Sequence, residues 1–228
     1  MKVAALIPAF NEADRIADTV RAVRRIDGIS EIVVIDDGST DSTSEQAREA
    51  GAERVITLPE NSGKGAALAA GLKATDAEIV IMLDADLGSS ASPASALLAP
   101  VLEDRADMTI AVFPRVGKSG GFGFAVGLAA WGIRKFTGKT MEAPLSGQRA
   151  LRRVIIDRMK GFDPGFGVET GLTIDALRMG YRVEEIPVDL THRHTGKNLR
   201  GFLHRGRQFV DIARALIRRG WGMGVGGW

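Results

Sequence analysis

The chain has 228 residues, 45% of them apolar and 25% charged, with no cysteine. That length supports one sizeable core, and the missing cysteine excludes disulfides, thiolate nucleophiles and cysteine-ligated zinc or iron–sulfur sites. The net charge of +2 hides an asymmetry: residues 192–219 carry eight Lys or Arg against one acid, Asp211, while the rest of the chain has 22 bases and 27 acids, which marks the C-terminal segment as a separate functional region.

Strand and helix patterns alternate from the first residues. Residues 3–7 (VAALI) read as a strand. Asn11 is expected to cap a helix with Ile16, Val20 and Val23 on one face. Residues 32–35 form a second strand, 42–50 a helix stopped by Gly51, and 54–58 a short strand. The alanine-rich 65–74 is helical, and 79–83 is the fourth strand. Such alternation predicts an α/β fold with a parallel sheet and right-handed crossovers. Beyond Asp86 the pattern gives a helix at 93–102, a strand at 108–113, a glycine-rich loop at 118–123 and an apolar helix at 124–136. Residues 146–153 fit either element. A helix at 168–178 ends at Gly180, and 183–188 is a strand that Pro187 places at an edge. Apolar residues at 199, 202, 203, 210, 213 and 217 have helical spacing, and packing is the default for that face. The expectation is one domain, residues 1–195, followed by a basic amphipathic tail, 196–228.

The longest mostly apolar stretch, residues 122–133, holds three glycines and falls short of the roughly 20 residues that a bilayer span requires. No signal-peptide pattern precedes the first strand. The expected location is cytoplasmic, with a peripheral contact at the inner face of a membrane left open through the basic tail. Nucleic acid is disfavoured, because only Phe202 and Phe209 interleave the basic residues of that tail. The oligomeric state is not legible.

Two strands stop abruptly at paired carboxylates: Asp36-Asp37 after VVI, and Asp84-Ala85-Asp86 after IVIML. Ligands of open α/β sheets bind past the carboxyl ends of strands. An extended backbone would put Asp84 and Asp86 on one side. Two close carboxylates repel unless a cation neutralises them, and a hard divalent ion such as Mg²⁺ or Mn²⁺ is the natural partner. A pair of solvated turn aspartates is the plain alternative. Likewise Asp36 to Asp41 could be a capping turn or could place Asp37 against a base or ribose. Glu12 could serve only the helix dipole or face the same pocket. Asn61-Ser62-Gly63-Lys64-Gly65 precedes a helix and suits phosphate, although it is not a Walker loop. His192-Arg193-His194 follows the last strand, and His192 or His194 could give nitrogen to a metal held by Asp86.

In this order, Ile7-Pro8-Ala9-Phe10-Asn11-Glu12, Val34-Ile35-Asp36-Asp37-Gly38-Ser39-Thr40-Asp41, Asn61-Ser62-Gly63-Lys64-Gly65 and Leu83-Asp84-Ala85-Asp86 resemble family 2 glycosyltransferases of the GT-A fold. The first 90 residues look most like the dolichol-phosphate mannose synthase group, with Gly88 standing where that group often has glutamine. Gly165-Phe166-Gly167-Val168-Glu169-Thr170-Gly171-Leu172 and Thr191-His192-Arg193 are similar to glucosyl-3-phosphoglycerate synthases. The resemblance implies a single, mostly parallel central sheet flanked by helices. Residues 1–90 would be the nucleotide-binding half and 91–195 the acceptor half. It implies a nucleotide-sugar donor, with UDP-glucose favoured, and a phosphorylated acceptor such as a polyprenyl phosphate. The alternative is retaining transfer to a small phosphorylated acid. By position, Pro8, Ala9, Phe10 and Glu12 would hold the nucleoside, Asp37 the base and Lys64 the nucleotide. Asp84 would meet ribose or metal, and Asp86 would ligate metal with His192. Glu169 would lie near the sugar and is the candidate general base for a hydroxyl acceptor. Gly147, Gln148, Arg149 and Lys118 would face sugar or acceptor, with Arg193, Lys197 and Arg200 on the acceptor phosphate. A sugar-nucleotide pyrophosphorylase is disfavoured by the Pro8–Glu12 segment, a dehydrogenase by the absence of GxGxxG, and a non-catalytic nucleotide-sugar binder by the retained carboxylates.

Overall fold

The apolar runs that end in carboxylates are the central strands of one seven-stranded sheet. The elements are β1 (Val3–Ala9), α1 (Ile16–Val23), β2 (Glu31–Asp36), α2 (Thr43–Glu49), β3 (Arg54–Thr57), α3 (Lys64–Lys73) and β4 (Ile79–Met82). A 3₁₀ segment (Ala85–Ala94) leads to α4 (Ser95–Leu102), β5 (Met108–Val112) and α5 (Gly123–Thr137). Then come β6 (Arg149–Arg152), α6 (Arg153–Arg158), α7 (Gly167–Arg178), β7 (Val183–Pro187) and α8 (Leu199–Trp221). The structure, a computed structural model, describes residues 1–113, 123–159, 161–163, 165, 167–189 and 199–221, the side chains of 199–207 and 221 excepted.

The strand order is β3-β2-β1-β4-β6-β5-β7. All neighbours are parallel except β6, which runs antiparallel to both β4 and β5. Residues 146–153, which fit either element from sequence, therefore contain the one reversed strand and the start of α6. β7 pairs with β5 alone, so Pro187 does sit on an edge strand, where its missing N–H costs no ladder bond. Register places Leu6 beside Val33 and Met82.

Period-2 alternation divides the core into two layers. Val3, Ala5, Ile7 and Ala9 of β1, with Ile79 and Ile81 of β4, pack against α1, the 3₁₀ segment and α4. Leu6, Val80 and Met82 face the other way, towards α3, α5, α6, α7 and α8. Each fully buried Leu, Ile or Val contributes about 1.5–3 kcal/mol by leaving water. Both faces of the central strands are covered, which is why they read as unbroken apolar runs.

Two local expectations are corrected. Asn11 caps no helix: its φ is 55° and α1 begins at Ile16. Asparagine tolerates this left-handed conformation, and its side-chain oxygen accepts from the Thr40 N–H at 2.9 Å, tying the loop after β1 to the loop after β2. In the described part of α8, from residue 208 onward, the apolar row expected from spacing is not the one that packs. Val210 and Ile217 are exposed, whereas Ile212, Ala215 and Leu216 are buried. The docked face is fixed by contacts a spacing rule does not see. Leu216 occupies the space a Cβ would take at Gly132 of α5. The Arg219 guanidinium reaches the carboxylates of Asp163 and Asp175 at 2.5 Å each. The helix that begins the expected tail is thus packed along α5 and α7. No helix among the described residues is long and apolar enough to cross a membrane.

Candidate active site

Four separated segments meet at the carboxyl edge of β1, β2 and β4. After β2, the Asp36 carboxylate accepts from the Ser39 N–H at 2.9 Å and from the Ser44 hydroxyl at 2.5 Å, closing the turn. Asp37 is buried, and its two oxygens accept from the N–H groups of Ser62 and Gly63, both at 2.8 Å. Its carboxylate therefore fixes the loop that enters α3 and aims Lys64. The Asp37 N–H in turn donates to the Ala9 carbonyl at 2.8 Å, joining the loops after β1 and β2.

Lys64 is the hub. Its ammonium lies 2.7 Å from Asp84 Oδ1 and 2.9 Å from Glu169 Oε1. Burial alone would lower its pKa, but the two carboxylates more than offset that, and the net shift is upward, so the cation is retained. Gln148, fully buried in the segment before β6, donates its amide to Asp84 Oδ2 at 2.9 Å. Gly147 lies against this cluster: a Cβ there would stand 2.5 Å from Lys64 Nζ and 3.0 Å from Asp84 Oδ2. Only a residue without a side chain lets the strand pass so close to the pair.

Glu169 lies in the first turn of α7, almost fully buried. Beneath it, the Thr173 hydroxyl donates to the Glu169 carbonyl at 2.8 Å and accepts from Arg149 Nη1 at 2.8 Å. Arg149 also donates from Nε to the Ser146 carbonyl at 2.7 Å. Its side chain is 1% exposed, and burial pushes its guanidinium down to about 10, with Glu169 and Glu185 opposing the shift. This corrects the expectation that Arg149 faces sugar or acceptor. Its donors are spent on protein oxygens one layer below the surface, where they hold the loop carrying Gly147 and Gln148 against α7.

Asp84 is extended, with φ −75° and ψ 146°, and the chain then turns into the 3₁₀ segment at Ala85. The strand alternation invoked to align Asp84 with Asp86 thus stops between them. The Asp86 carbonyl accepts from Arg15 Nη1 at 3.2 Å, an anchor that no sequence signal marked. Pro8 and Ala9 close the end of β1, Phe10 is exposed beyond it, and the Glu12 N–H donates to Thr43 Oγ1 at 2.9 Å. The structure therefore brings together Lys64, Asp84, Gly147, Gln148 and Glu169, with Asp37 and Arg149 in support. Lys118, His192, Arg193 and Lys197 lie outside the described residues, as does the Arg200 side chain.

The donor set at this edge is hard carboxylate oxygen, the chemistry that suits Mg²⁺ or Mn²⁺. Among the described residues no three His, Asp or Glu side chains converge as a ready-made metal cage. Mg²⁺ is commonly held by one or two carboxylates plus substrate phosphates; Asp84 supplies a carboxylate at this edge, its two oxygens accepting from Lys64 and Gln148.

Residues 4–155 match the family described as Glycosyl transferase family 2. The chain is 32% identical over 223 residues to the glycosyltransferase AglJ of Haloferax volcanii, covering 93% of this chain and 71% of that protein. It is 34% identical over 206 residues to the glucosyl-3-phosphoglycerate synthase of Mycolicibacterium paratuberculosis, covering 78% of this chain and 61% of that protein. Identity to the undecaprenyl-phosphate 4-deoxy-4-formamido-L-arabinose transferase of Salmonella choleraesuis is 30% over 224 residues, covering 94% of this chain and 67% of that protein. The chain thus spans between about three fifths and seven tenths of the length of these relatives. Among solved structures, glucosyl-3-phosphoglycerate synthase of Mycobacterium tuberculosis with Mg²⁺ and UDP superposes with a TM-score of 0.79 at 29% identity. That match covers 96% of this chain and 79% of the other.

Proposed function

This chain belongs to glycosyl transferase family 2, and on that premise we propose that it moves a hexosyl group from a nucleoside-diphosphate sugar to a phosphorylated acceptor. The observation that carries the reading is the Lys64 ammonium between Asp84 and Glu169 at the carboxyl edge of the sheet. UDP-glucose is the favoured donor, supported by the similarity to a synthase solved with UDP. A polyprenyl phosphate is the favoured acceptor, supported by the likeness to an undecaprenyl-phosphate transferase along 94% of this chain. Transfer to a small phosphorylated acid is the second reading, supported by the likeness to glucosyl-3-phosphoglycerate synthases.

Asp86 and Asp84 would hold a Mg²⁺ or Mn²⁺ together with the donor's phosphates, and His192 is proposed to join them. The ion supplies Lewis acidity to the departing diphosphate. Lys64 places a fixed positive charge beside that diphosphate, paired in advance so that little reorganisation is needed. Asp37 orients the loop that carries Lys64, and Gly147 lets the sugar-side loop approach it. Glu169 accepts the proton of a hydroxyl acceptor; a phosphate acceptor is already anionic and does not need this step.

The test is a thermal-shift panel of nucleoside diphosphates and nucleotide-sugars with and without Mn²⁺. Transfer of labelled sugar to polyprenyl phosphate and to 3-phosphoglycerate is then measured side by side. UDP-linked donors should raise the midpoint only with metal, and Asp86→Ala should abolish that increment. No metal-dependent shift with any nucleotide would sink the reading, and turnover with 3-phosphoglycerate alone would favour the second acceptor class.

A further inference from the structure

A buried threonine on α1 reaches across to the turn that carries Asp86. Thr19 is fully buried. Its hydroxyl donates to the Ala85 carbonyl at 2.7 Å and accepts from the Gly88 N–H at 2.7 Å. In an ordinary 3₁₀ turn the carbonyl of residue 85 would accept directly from the N–H of residue 88. Here one hydroxyl stands between the two groups and satisfies both, which requires a side chain that donates and accepts at once. The turn breaks at Gly88, whose φ of 57° and ψ of −142° leave the helical region. Glycine reaches that conformation at little cost and other residues do not. A second contact holds the same turn. Arg15, at the N-cap of α1, donates from Nη1 to the Asp86 carbonyl at 3.2 Å.

Cohesion between α1 and the 3₁₀ segment does not depend on this hydroxyl. Ile16, Val20 and Val23 already share an apolar layer with Leu87, Ala91 and Ala94, and apolar attraction has no direction. The hydroxyl adds direction. A threonine inside a helix commonly turns back to a carbonyl of its own helix; the single Thr19 proton goes to Ala85 on the other element instead. Both of its bonds to the turn are buried, so water does not compete for them. The neighbouring carboxylate, Asp84, is fixed from the other side by Lys64 at 2.7 Å and Gln148 at 2.9 Å. Thr19 and Arg15 set the backbone of Asp86 relative to that fixed point.

We propose that Thr19 is a positioning residue for the divalent ion: by bridging Ala85 and Gly88 it fixes the backbone on either side of Asp86, while Arg15 holds the Asp86 carbonyl between them. The inference rests on the reading that Asp86 holds metal, and it goes further by assigning part of the metal affinity to α1, which acts through the backbone of the turn. Groups that orient a metal ligand from behind typically set affinity by ten- to a hundredfold. The physical reason is local. Without the hydroxyl, the Ala85 carbonyl and the Gly88 N–H lose their shared partner. They then relieve their burial by closing on each other as an ordinary 3₁₀ turn, which reorients Asp86 between them.

The experiment is a Mn²⁺ titration of the melting temperature of the whole protein at a fixed concentration of UDP. The quantity read is the Mn²⁺ concentration that gives half of the metal-dependent increment. Thr19→Val keeps the shape and removes the hydroxyl, and it should raise that midpoint at least about tenfold. Thr19→Ser restores the hydroxyl and should return the midpoint close to that of the parent. Arg15→Met, at a partly exposed position, should raise it several-fold. Val20→Ala is a buried change on the same helix that keeps every hydrogen bond to the turn; it should lower the melting temperature and leave the midpoint in place. An unmoved midpoint in Thr19→Val overturns the proposal, and should that protein not fold, an unmoved midpoint in Arg15→Met does so. A Val20→Ala shift as large as that of Thr19→Val also overturns it, because loss of packing would then explain both. A parent without any metal-dependent increment removes the metal reading of Asp86 and the proposal with it, whereas a parent that shows the increment beside an unmoved Thr19→Val removes the proposal alone.

Discussion

Lys64, Asp84 and Glu169 show why single residues matter at this site. Lys64→Met would leave the almost fully buried Glu169 carboxylate without its cation. Removing one partner of a buried pair costs about 3–5 kcal/mol, so the urea midpoint should fall markedly. The pair's contribution has a definite pH dependence. The Lys64 pKa is raised above 10.5, so the stabilisation is complete below that value and fades as pH climbs through the raised one. The parent should therefore lose stability on the alkaline limb, and the Lys64→Met variant should lose much less there. Gly147→Ala tests geometry without changing charge. Its Cβ would stand 2.5 Å from Lys64 Nζ, so the lysine must move. A displacement near 1 Å can cost roughly a hundredfold in rate, and kcat/KM for the donor should drop by that order while the melting temperature changes little. Sequence reading found Lys64, Asp84 and Glu169 as chemistry-bearing residues, but not that they bond to one another. Residues 64, 84 and 169 are brought together by the sheet, and no local spacing encodes that. Arg149 was singled out as a ligand contact because arginine is so often one. Its full burial beneath Glu169 became visible only when β6 was seen to run through the middle of the sheet.

At the scale of elements, the central strands announced themselves and the irregular pieces did not. β1, β2 and β4 are buried on both faces, so their aliphatic runs carry a strong signal. β6 is only four residues long and antiparallel, and its sequence contains two arginines, so hydrophobic pattern could not identify it. The 3₁₀ segment after Asp84 was likewise invisible, because a short turn of this kind has weak sequence preferences. α8 shows the same limit from another side. Its helical spacing was legible, but it has two apolar rows, and only the neighbours decide which one is covered. Asp163, on the segment before α7, and Asp175 on α7 supply that decision by pairing with Arg219. Arg219→Met should leave Asp163, 3% exposed, as a buried charge whose remaining ion pair among the described residues is with Arg218. The expected loss is about 3 kcal/mol in chemical denaturation, and Asp163→Asn in the same background should recover part of it. Simple additivity of the two substitutions would show that the pair carries no coupling.

For the molecule as a whole, α8 belongs to the core of the glycosyltransferase domain, although its charge set it apart from residue 196 onward. Ile212 and Leu216 complete the layer formed by α5 and α7, and the α7 glycines at 167 and 171 lie directly against α8. Truncation after residue 207 should therefore lower the melting temperature substantially and reduce donor hydrolysis and acceptor transfer together. A shortened protein that melts like the parent and loses acceptor transfer alone would show that the helix serves only the acceptor. Sequence by itself determined the alternation of strands and helices, the carboxylate-tipped strands, the family likeness and the basic C-terminal segment. These are properties of local pattern and composition, written in consecutive residues. Only the tertiary structure decided that Asp37 braces the Lys64 loop, that Arg149 is interior, that Lys64 joins two carboxylates, and which face of α8 meets solvent. Each depends on which distant residues share a space, and that is set by the closing of the sheet and the packing of its two layers.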